Sequence, residues 1–138
     1  MQAELVDRGV SKTRPRVIIQ WWPRPTIAPG ALSWTTDLLR LAGAVNPLGS
    51  EPVKSRPVGD DALADLDPDV LVLSWCGVAP EKVRPDAVLG NPALRTVKAV
   101  RNGHVFCVPE AFLGRPGPRL LEGYRALLGV TEAVRERR

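Results

Sequence analysis

The sequence predicts an α/β domain whose open, mostly parallel sheet has helices on both faces. Three short runs of apolar residues predict the strands, at residues 16–20, 70–74 and 104–108. Continuous runs of Val, Ile and Leu are typical of parallel strands that are buried on both faces of a sheet. Helical patterns separate the runs, and such an alternation of strands and helices favours a parallel sheet with right-handed crossovers.

The first strand, at residues 16–20, leads into a loop and then a helix. The loop covers residues 21–30, and its three prolines predict an irregular backbone because proline has no N–H for a strand ladder. Residues 32–42 have the apolar spacing of an amphipathic helix, and Gly43 is expected to end it. The residues of this helix expected to face the core are Leu38, Leu39, Leu41 and Ala42.

The middle of the chain predicts short elements around the second strand. Residues 47–57 are expected to be irregular with at most a short edge strand, and residues 60–65 are expected to form a short helix. A turn at residues 67–69 then leads into the strand. Two weaker helices, at residues 80–88 and 92–100, are expected before the third strand.

The end of the chain predicts a shaped turn followed by a helix. Residues 115–119 read Arg-Pro-Gly-Pro-Arg, a run that cannot lie inside a helix or a central strand. Apolar residues at helical spacing then predict the last helix, over residues 118–128. We therefore expect residues 1–13 to be the end of a helix or a tail, residues 14–130 to form one α/β domain, and residues 131–138 to form a basic tail.

Composition and charge favour a single globular domain that binds neither nucleic acid nor membrane. The 138 residues are enough to bury a core, and the hydrophobic content of 44% is ordinary for such a domain. The net charge of +4 is concentrated near the chain ends, so no basic nucleic-acid surface is expected. No apolar run is long enough to span a bilayer, and the start lacks the apolar stretch of an export signal, so a cytoplasmic location stays open.

Residues that carry catalytic or metal chemistry are sparse. Cys76 and Cys107 stand apart with no nearby histidine, so buried free thiols are expected, with a bridge between adjacent strand ends as the alternative. His104 is the single histidine and is expected to be structural or solvated. The sequence also lacks the motifs of phosphate-binding loops, serine hydrolases and zinc proteases. We therefore expect no metal, no cofactor and no enzymatic activity.

Unusual residues follow each of the three predicted strands. Trp21 and Trp22 follow the first strand, residues 75–77 follow the second, and residues 110–115 follow the third. The carboxyl ends of parallel strands meet at one edge of the sheet, where open α/β sheets bind their ligands. Four tryptophans stand beside only one tyrosine and two phenylalanines, and tryptophan supplies flat apolar area for a large ligand.

The order and spacing of several segments resemble the C-terminal lobe of periplasmic substrate-binding proteins of ABC importers. The class it resembles carries cobalamin, haem and ferric siderophores, and the cobalamin-type branch is the most similar. The resemblance covers residues 16–128 and implies one Rossmann-like lobe of a bilobal periplasmic-binding-protein fold. The segments that carry it are the proline-rich loop ending at Gly30, the helix end at 38–44, the helix, turn and strand at 63–73, the segment 94–108, and the run 115–120.

The resemblance also implies roles for individual residues. Aromatic faces suit the ring of a corrinoid or porphyrin, and an arginine suits carboxylate or phosphate groups because it donates two parallel hydrogen bonds. Asp61 matches the surface glutamate that docks on the permease in this family, with a side chain one methylene shorter. The residues implied to bind ligand are Trp21, Trp22, Ile27, Trp75, Gly77, Glu110, Phe112 and Arg115.

The sequence therefore predicts a non-enzymatic solute-binding lobe of an ABC import system for cobalamin or a related metal chelate, such as haem or a ferric siderophore. The resemblance implies a permease as partner and a periplasmic or cell-surface location. It also implies a missing N-terminal lobe or a second chain, because residues 1–13 match the end of the helix that joins two lobes. Two alternatives stay open: a regulatory or enzymatic α/β domain for another small ligand, and a truncated remnant lobe with no ligand of its own.

Overall fold

The computed structural model describes residues 14–114 and 117–136. This part of the chain contains six strands, six helices and two 3-10 turns, at Pro80–Lys82 and Pro92–Leu94. The strands are β1 (Val17–Gln20), β2 (Trp22–Pro23), β3 (Thr26–Pro29), β4 (Ser55–Val58), β5 (Val70–Leu73) and β6 (Val105–Cys107). The helices are α1 (Trp34–Leu41), α2 (Asp60–Leu66), α3 (Asp86–Leu89), α4 (Lys98–Arg101), α5 (Glu110–Leu113) and α6 (Leu120–Glu136).

The main sheet contains three parallel strands in the order β1-β5-β6. Ile18 pairs with Leu71 across the first ladder, and Leu71 pairs with Val105 across the second. Every residue of β1 and β5 is buried, as the apolar runs predict. The predicted α/β class, with a mostly parallel sheet between helices, is confirmed.

Two hydrophobic cores cover the two faces of the main sheet. Alternate residues of a strand point to opposite faces, so each strand contributes to both cores. Val17 and Val72 belong to the α6-side core, in which residues of α1 and α6 pack on the sheet. Ile18 and Leu71 belong to the α2-side core, in which residues of α2, α3 and α4 pack on the other face.

Residues 21–30 form a β-hairpin, so the prediction of an irregular loop is wrong. β2 pairs with β3, and β3 pairs with β4, in a second, antiparallel sheet. The prolines fit because Pro23 lies in edge strand β2 and Pro25 lies in the turn, where no ladder N–H is needed. Pro29 is the last residue of β3, beyond the residues that pair with β2. β4 is the short edge strand that the analysis of residues 47–57 allowed.

The helices predicted at residues 80–88 and 92–100 are shorter than expected. Each consists of a 3-10 turn followed by a four-residue helix, which is α3 or α4. Pro85 accounts for the first interruption, because a proline inside a helix removes a backbone hydrogen bond and clashes with the preceding turn. The second interruption falls at Val97, where the backbone is extended.

Helix α6 runs through residues that were expected to form part of a basic tail. Val130, Thr131 and Val134 are buried, and the hydroxyl of Thr131 donates a hydrogen bond to the carbonyl oxygen of Leu127 at 2.9 Å. These positions continue the apolar stripe of the helix, so α6 stays packed on the sheet beyond residue 130. The predicted segment 1–13 lies outside the described residues.

Helix α1 buries Leu38, Leu39 and Ala42 as predicted, whereas Leu41 is 65% exposed. The buried arc of the helix is centred on Thr35. At 100° per residue, Leu41 lies roughly 60° beyond the edge of that arc. The prediction that Leu41 faces the core is therefore wrong. The spacing of apolar residues in a helix does not show how wide the surface is that packs on the sheet.

Two leucines of α1 provide a matched test of this packing. Leu39→Ala is expected to lower the free energy of unfolding by about 2–5 kcal/mol, because it leaves a cavity in the α6-side core. Leu41→Ala is expected to change it by less than about 0.5 kcal/mol, because that side chain lies in solvent. Urea unfolding of both variants measures the difference, and equal losses would contradict the described orientation of α1.

Candidate functional site

The ends of the three parallel strands lie together at one edge of the main sheet. Beyond β1 and β5 the ladder continues, because the N–H of Ser74 donates to the oxygen of Gln20 and the N–H of Cys76 donates to the oxygen of Trp21, both at 3.0 Å. Beyond β6, the N–H of Val108 donates to the oxygen of Leu73 at 3.0 Å. The backbone therefore places the three exits side by side, as the sequence predicted.

A cleft of about 330 Å³ opens between this edge and the second sheet, and we name it the aromatic cleft. It combines the exit of β1, the hairpin, the start of α1 and the segment before β4. Most of its lining side chains are apolar or uncharged. The lining residues are Trp21, Ile27, Leu32, Ser33, Trp34, Lys54, Ser55, Cys76 and Gly114.

Hydrogen bonds fix the two tryptophans of the cleft wall. The backbone N–H of Trp21 donates to the oxygen of Ile27 at 2.7 Å, which joins the strand exit to the hairpin. The indole N–H of Trp34 donates to the carbonyl oxygen of Leu113 at 3.0 Å. Ser33 caps α1 by accepting from the N–H of Thr35 at 3.2 Å. The indole of Trp34 is thus held by a bond to the backbone of α5, and the backbone of Trp21 by a bond to the hairpin.

Two of the residues implied to bind ligand, Trp21 and Ile27, line the aromatic cleft. Trp22 lies in β2, opposite Ile27, and is 45% exposed without being part of the lining. Gly77 is exposed beyond Cys76 and has a φ of 75°, which favours glycine in this turn.

Trp75 packs in the α2-side core instead of lining the cleft, and only 7% of it is exposed. Its indole N–H donates to Oε1 of Gln20 at 2.9 Å, and Nε2 of Gln20 donates to the hydroxyl of Thr26 at 2.9 Å. Gln20 and Thr26 are themselves buried. This chain of bonds ties β1, β5 and β3 together behind the cleft.

The residues after β6 border the cleft without all lining it. A Cβ on Gly114 would overlap Oε2 of Glu110, so this carboxylate lies against a lining residue. Phe112 is partly buried against the α6-side core, and the guanidinium of Arg119 lies 4.9 Å from its ring centre. Arg115, which the resemblance implies as a ligand contact, lies outside the described residues.

Both cysteines are free and exposed, so the prediction of buried thiols is wrong. Cys76 follows the end of β5, and Cys107 lies on edge strand β6, where a neighbouring strand covers one side only. Partial desolvation nevertheless raises the pKa of both thiols. The negative charge of Glu110 also raises the pKa of Cys76. His104 is buried beside β6, in agreement with a structural role.

Sequence reasoning named two of the nine lining residues as ligand contacts, placed Cys76 and Gly114 in the segments after the strands, and missed the other five. Leu32, Ser33 and Trp34 precede or start α1, and Trp34 was noted only as one of four tryptophans. Lys54 and Ser55 lie in the segment expected to be irregular. No local pattern places that segment beside Trp21, because the pairing of β4 with β3 brings it there.

A larger cavity of about 520 Å³ lies at the tip of the hairpin, beside α2 and α3. Prolines, Arg24 and carboxylates such as Asp60 and Asp86 line it, and it contains no aromatic side chain. Asp61, the residue that matches the family's docking position, is exposed in the first turn of α2. The aromatic cleft is the candidate functional site, because it combines the strand exits with flat apolar walls.

Two kinds of feature are absent from the described residues. Within residues 14–114 and 117–136, no group of three or more histidine, cysteine, aspartate or glutamate side chains is arranged to hold a metal ion. No helix in the same ranges is long and apolar enough to cross a membrane.

The sequence of residues 4–111 matches the family described as periplasmic binding protein. The chain belongs to this family. Its members are solute-binding proteins, not enzymes, that act in the periplasm with the permeases of ABC transporters. The predicted resemblance to periplasmic binding proteins is confirmed, and the similar solved structures include proteins named for vitamin B12, heme and Fe3+-hydroxamate. No curated protein matches the chain in sequence.

Solved structures of this class are similar to the chain over almost all of its length. An ABC-type Fe3+-hydroxamate transport system from Saccharomonospora viridis DSM 43017 is 26% identical, with a TM-score of 0.74, and the match covers 92% of this chain and 44% of that one. The periplasmic vitamin B12 binding protein of Vibrio cholerae is 20% identical, with a TM-score of 0.70, and the match covers 96% of this chain and 50% of that one. A periplasmic heme-binding protein from Roseiflexus sp. RS-1 is 20% identical, with a TM-score of 0.72, and the match covers 97% of this chain and 53% of that one. The chain therefore spans about half the length of these proteins.

The bond between Trp75 and Gln20 can be tested by removing its partners one at a time. Gln20→Leu leaves the indole N–H of Trp75 and the hydroxyl of Thr26 without a partner, so we expect a loss of about 1–3 kcal/mol in the free energy of unfolding. In a Trp75→Phe background the same change should cost less, because the indole N–H is already absent. Urea unfolding of the four proteins measures this coupling, and equal costs in both backgrounds would contradict it.

The position of Glu110 beside the cleft can be tested through the two thiols. Glu110→Gln removes a negative charge that raises the pKa of Cys76, so this pKa should fall toward its ordinary value. Between about pH 8 and 9, more of Cys76 is then thiolate, and its alkylation by iodoacetamide should be faster. Mass spectrometry gives the rates at both sites, with Cys107 as the internal control because no effect of Glu110 contributes to its pKa. An unchanged rate at Cys76 would show that Glu110 lies elsewhere in solution.

Proposed function

We propose that the chain forms a solute-binding lobe of an ABC import system that carries cobalamin or a related metal chelate, such as haem or a ferric siderophore. The observation that carries the proposal is the aromatic cleft at the carboxyl edge of the parallel strands, walled by Trp21 and Trp34. The similar structures, which are named for vitamin B12, heme and Fe3+-hydroxamate, support this class of ligand.

The walls of the cleft suit a large, flat or compact apolar chelate. Two indoles together with Ile27 and Leu32 offer apolar contact area, and tryptophan adds little conformational cost because few of its bonds rotate. A cleft of about 330 Å³ covers only part of such a ligand. We infer that an N-terminal lobe or a second chain supplies the opposite wall, which agrees with the half-length match to the similar structures.

The roles of the predicted residues differ under this proposal. Trp21 and Ile27 contact the ligand from the cleft wall. Trp22 and Phe112 lie outside the lining of the cleft, and Arg115 keeps the proposed role of pairing with an acidic group of the ligand. Trp75 supports the wall from the α2-side core, through its bond to Gln20.

The permease partner is proposed to dock on the side of the lobe that carries the amino end of α2. Asp61 is exposed there, and Asp60 precedes it in the same turn. The family's place in the periplasm supports a periplasmic or cell-surface location for this lobe.

Ligand uptake and protection of one thiol together test the proposed function. The purified chain is dialysed against cobalamin, haemin and a ferric trihydroxamate in parallel, at concentrations up to about 1 mM because one wall alone binds weakly. We expect uptake of at least one chelate, and we expect that chelate to slow the alkylation of Cys76, which lines the cleft. Cys107 is exposed but does not line the cleft, so its rate should not change.

Two outcomes would contradict the proposal. The absence of uptake of all three chelates would argue against a binding lobe of this class. Uptake that leaves the alkylation rate of Cys76 unchanged would place the ligand outside the aromatic cleft.

A further inference from the structure

Lys54 lines the aromatic cleft and carries a positive charge that is unpaired among the described residues. Three charged residues lie in or just before β4, namely Glu51, Lys54 and Arg56. Arg56 takes up the carboxylate of Glu51 through two hydrogen bonds, one of them at 3.0 Å from its terminal nitrogen. Within the part of the chain that the structure describes, no carboxylate forms an ion pair with Lys54. Its charge is therefore available to a ligand.

The backbone holds Lys54 at the wall of the cleft. Its carbonyl oxygen accepts a hydrogen bond from the N–H of Gly30 at 3.1 Å, and the oxygen of Val53 accepts one from the N–H of Leu32 at 3.1 Å. A Cβ on Gly30 would lie 2.7 Å from the oxygen of Val53, so the two segments are in close contact. The backbone of Lys54 is thus fixed, while its side chain is exposed to solvent.

A negative charge lies beside the cleft. The carboxylate of Glu110 lies against Gly114 and near Cys76, and both of these residues line the cleft. Among the lining residues that the structure describes, Lys54 is the one charged side chain. An acidic group of a bound chelate is therefore attracted to Lys54 and repelled by Glu110, so the two charges together favour one orientation of the ligand.

We propose that Lys54 is a specificity-determining residue of the aromatic cleft, and that it selects metal chelates that carry a carboxylate over neutral chelates of the same shape. This inference rests on the proposed function, because it concerns the ligand of the same cleft. The proposed function predicts that a chelate binds, whereas this inference predicts a preference between matched chelates. An experiment can therefore contradict the preference without contradicting binding.

Two matched ligand pairs test the selectivity. One pair is haemin and haemin dimethyl ester, in which the carboxylates are masked. The other is a ferric trihydroxamate whose pendant amine is capped with either a succinyl or an acetyl group, which adds a carboxylate or leaves the chelate neutral. Dissociation constants are measured by quenching of tryptophan fluorescence for the unchanged chain, Lys54→Ala and Glu110→Gln. Lys98→Ala is the control, because Lys98 lies at the start of α4, near the amino end of the main sheet.

The unchanged chain should bind the carboxylate-bearing member of a pair about 2- to 10-fold more tightly, the range expected for one partly solvated charge pair. Lys54→Ala should abolish this preference, whereas Lys98→Ala should keep it. Glu110→Gln should increase the preference, because it removes a like charge. Raising the salt from about 0.05 to about 0.5 M should weaken binding of the carboxylate-bearing member only.

The results separate this inference from the proposed function. Binding of both members of a pair without preference, or a preference that survives Lys54→Ala, would overturn the role of Lys54 and leave the solute-binding function intact. Failure of every chelate to bind, including the neutral ones, would overturn the proposed function and this inference with it. Circular dichroism of Lys54→Ala should match that of the unchanged chain, because the side chain is exposed.

Discussion

The burial of β5 between β1 and β6 is the constraint on which the rest of the structure depends. Its four residues, Val70–Leu73, are buried and contribute alternately to the cores on the two faces of the main sheet. Each neighbouring strand is held by a parallel ladder to β5, so the carboxyl ends of all three strands lie at one edge. The same pairing that buries the apolar runs also gathers the loops from which the aromatic cleft is built.

The tryptophans that follow two adjacent strands have different positions at that edge. Trp21 leaves β1 toward the cleft, whereas Trp75 leaves β5 into the α2-side core. Gln20 connects them, because it precedes Trp21 in the chain and accepts the indole N–H of Trp75. A buried, fully bonded polar group of this kind fixes one geometry, since an alternative packing would leave it without partners. The cleft wall is thereby held rigid from behind.

The cleft has the character of one half of a binding site. Indole faces, a lysine and a thiol are open to solvent on one wall, and the chain spans about half the length of the similar periplasmic binding proteins. Enclosure by a second wall would exclude water and strengthen the contacts of the ligand with Trp21 and Lys54. The charges of Lys54 and Glu110, which have opposite signs, can set the orientation of a ligand before such enclosure.

The sequence by itself determined the three parallel strands, both helical layers and the edge at which a site forms, because runs such as residues 70–73 can only be stable when both of their faces are buried. It also determined the family, through the order and spacing of its segments. Only the tertiary structure decided which side chains reach the cleft. Lys54 arrives through the pairing of β4 with β3, and Trp75 turns away because a buried partner, Gln20, takes its N–H. Both outcomes depend on contacts between residues that are distant in sequence, and no local pattern records such contacts.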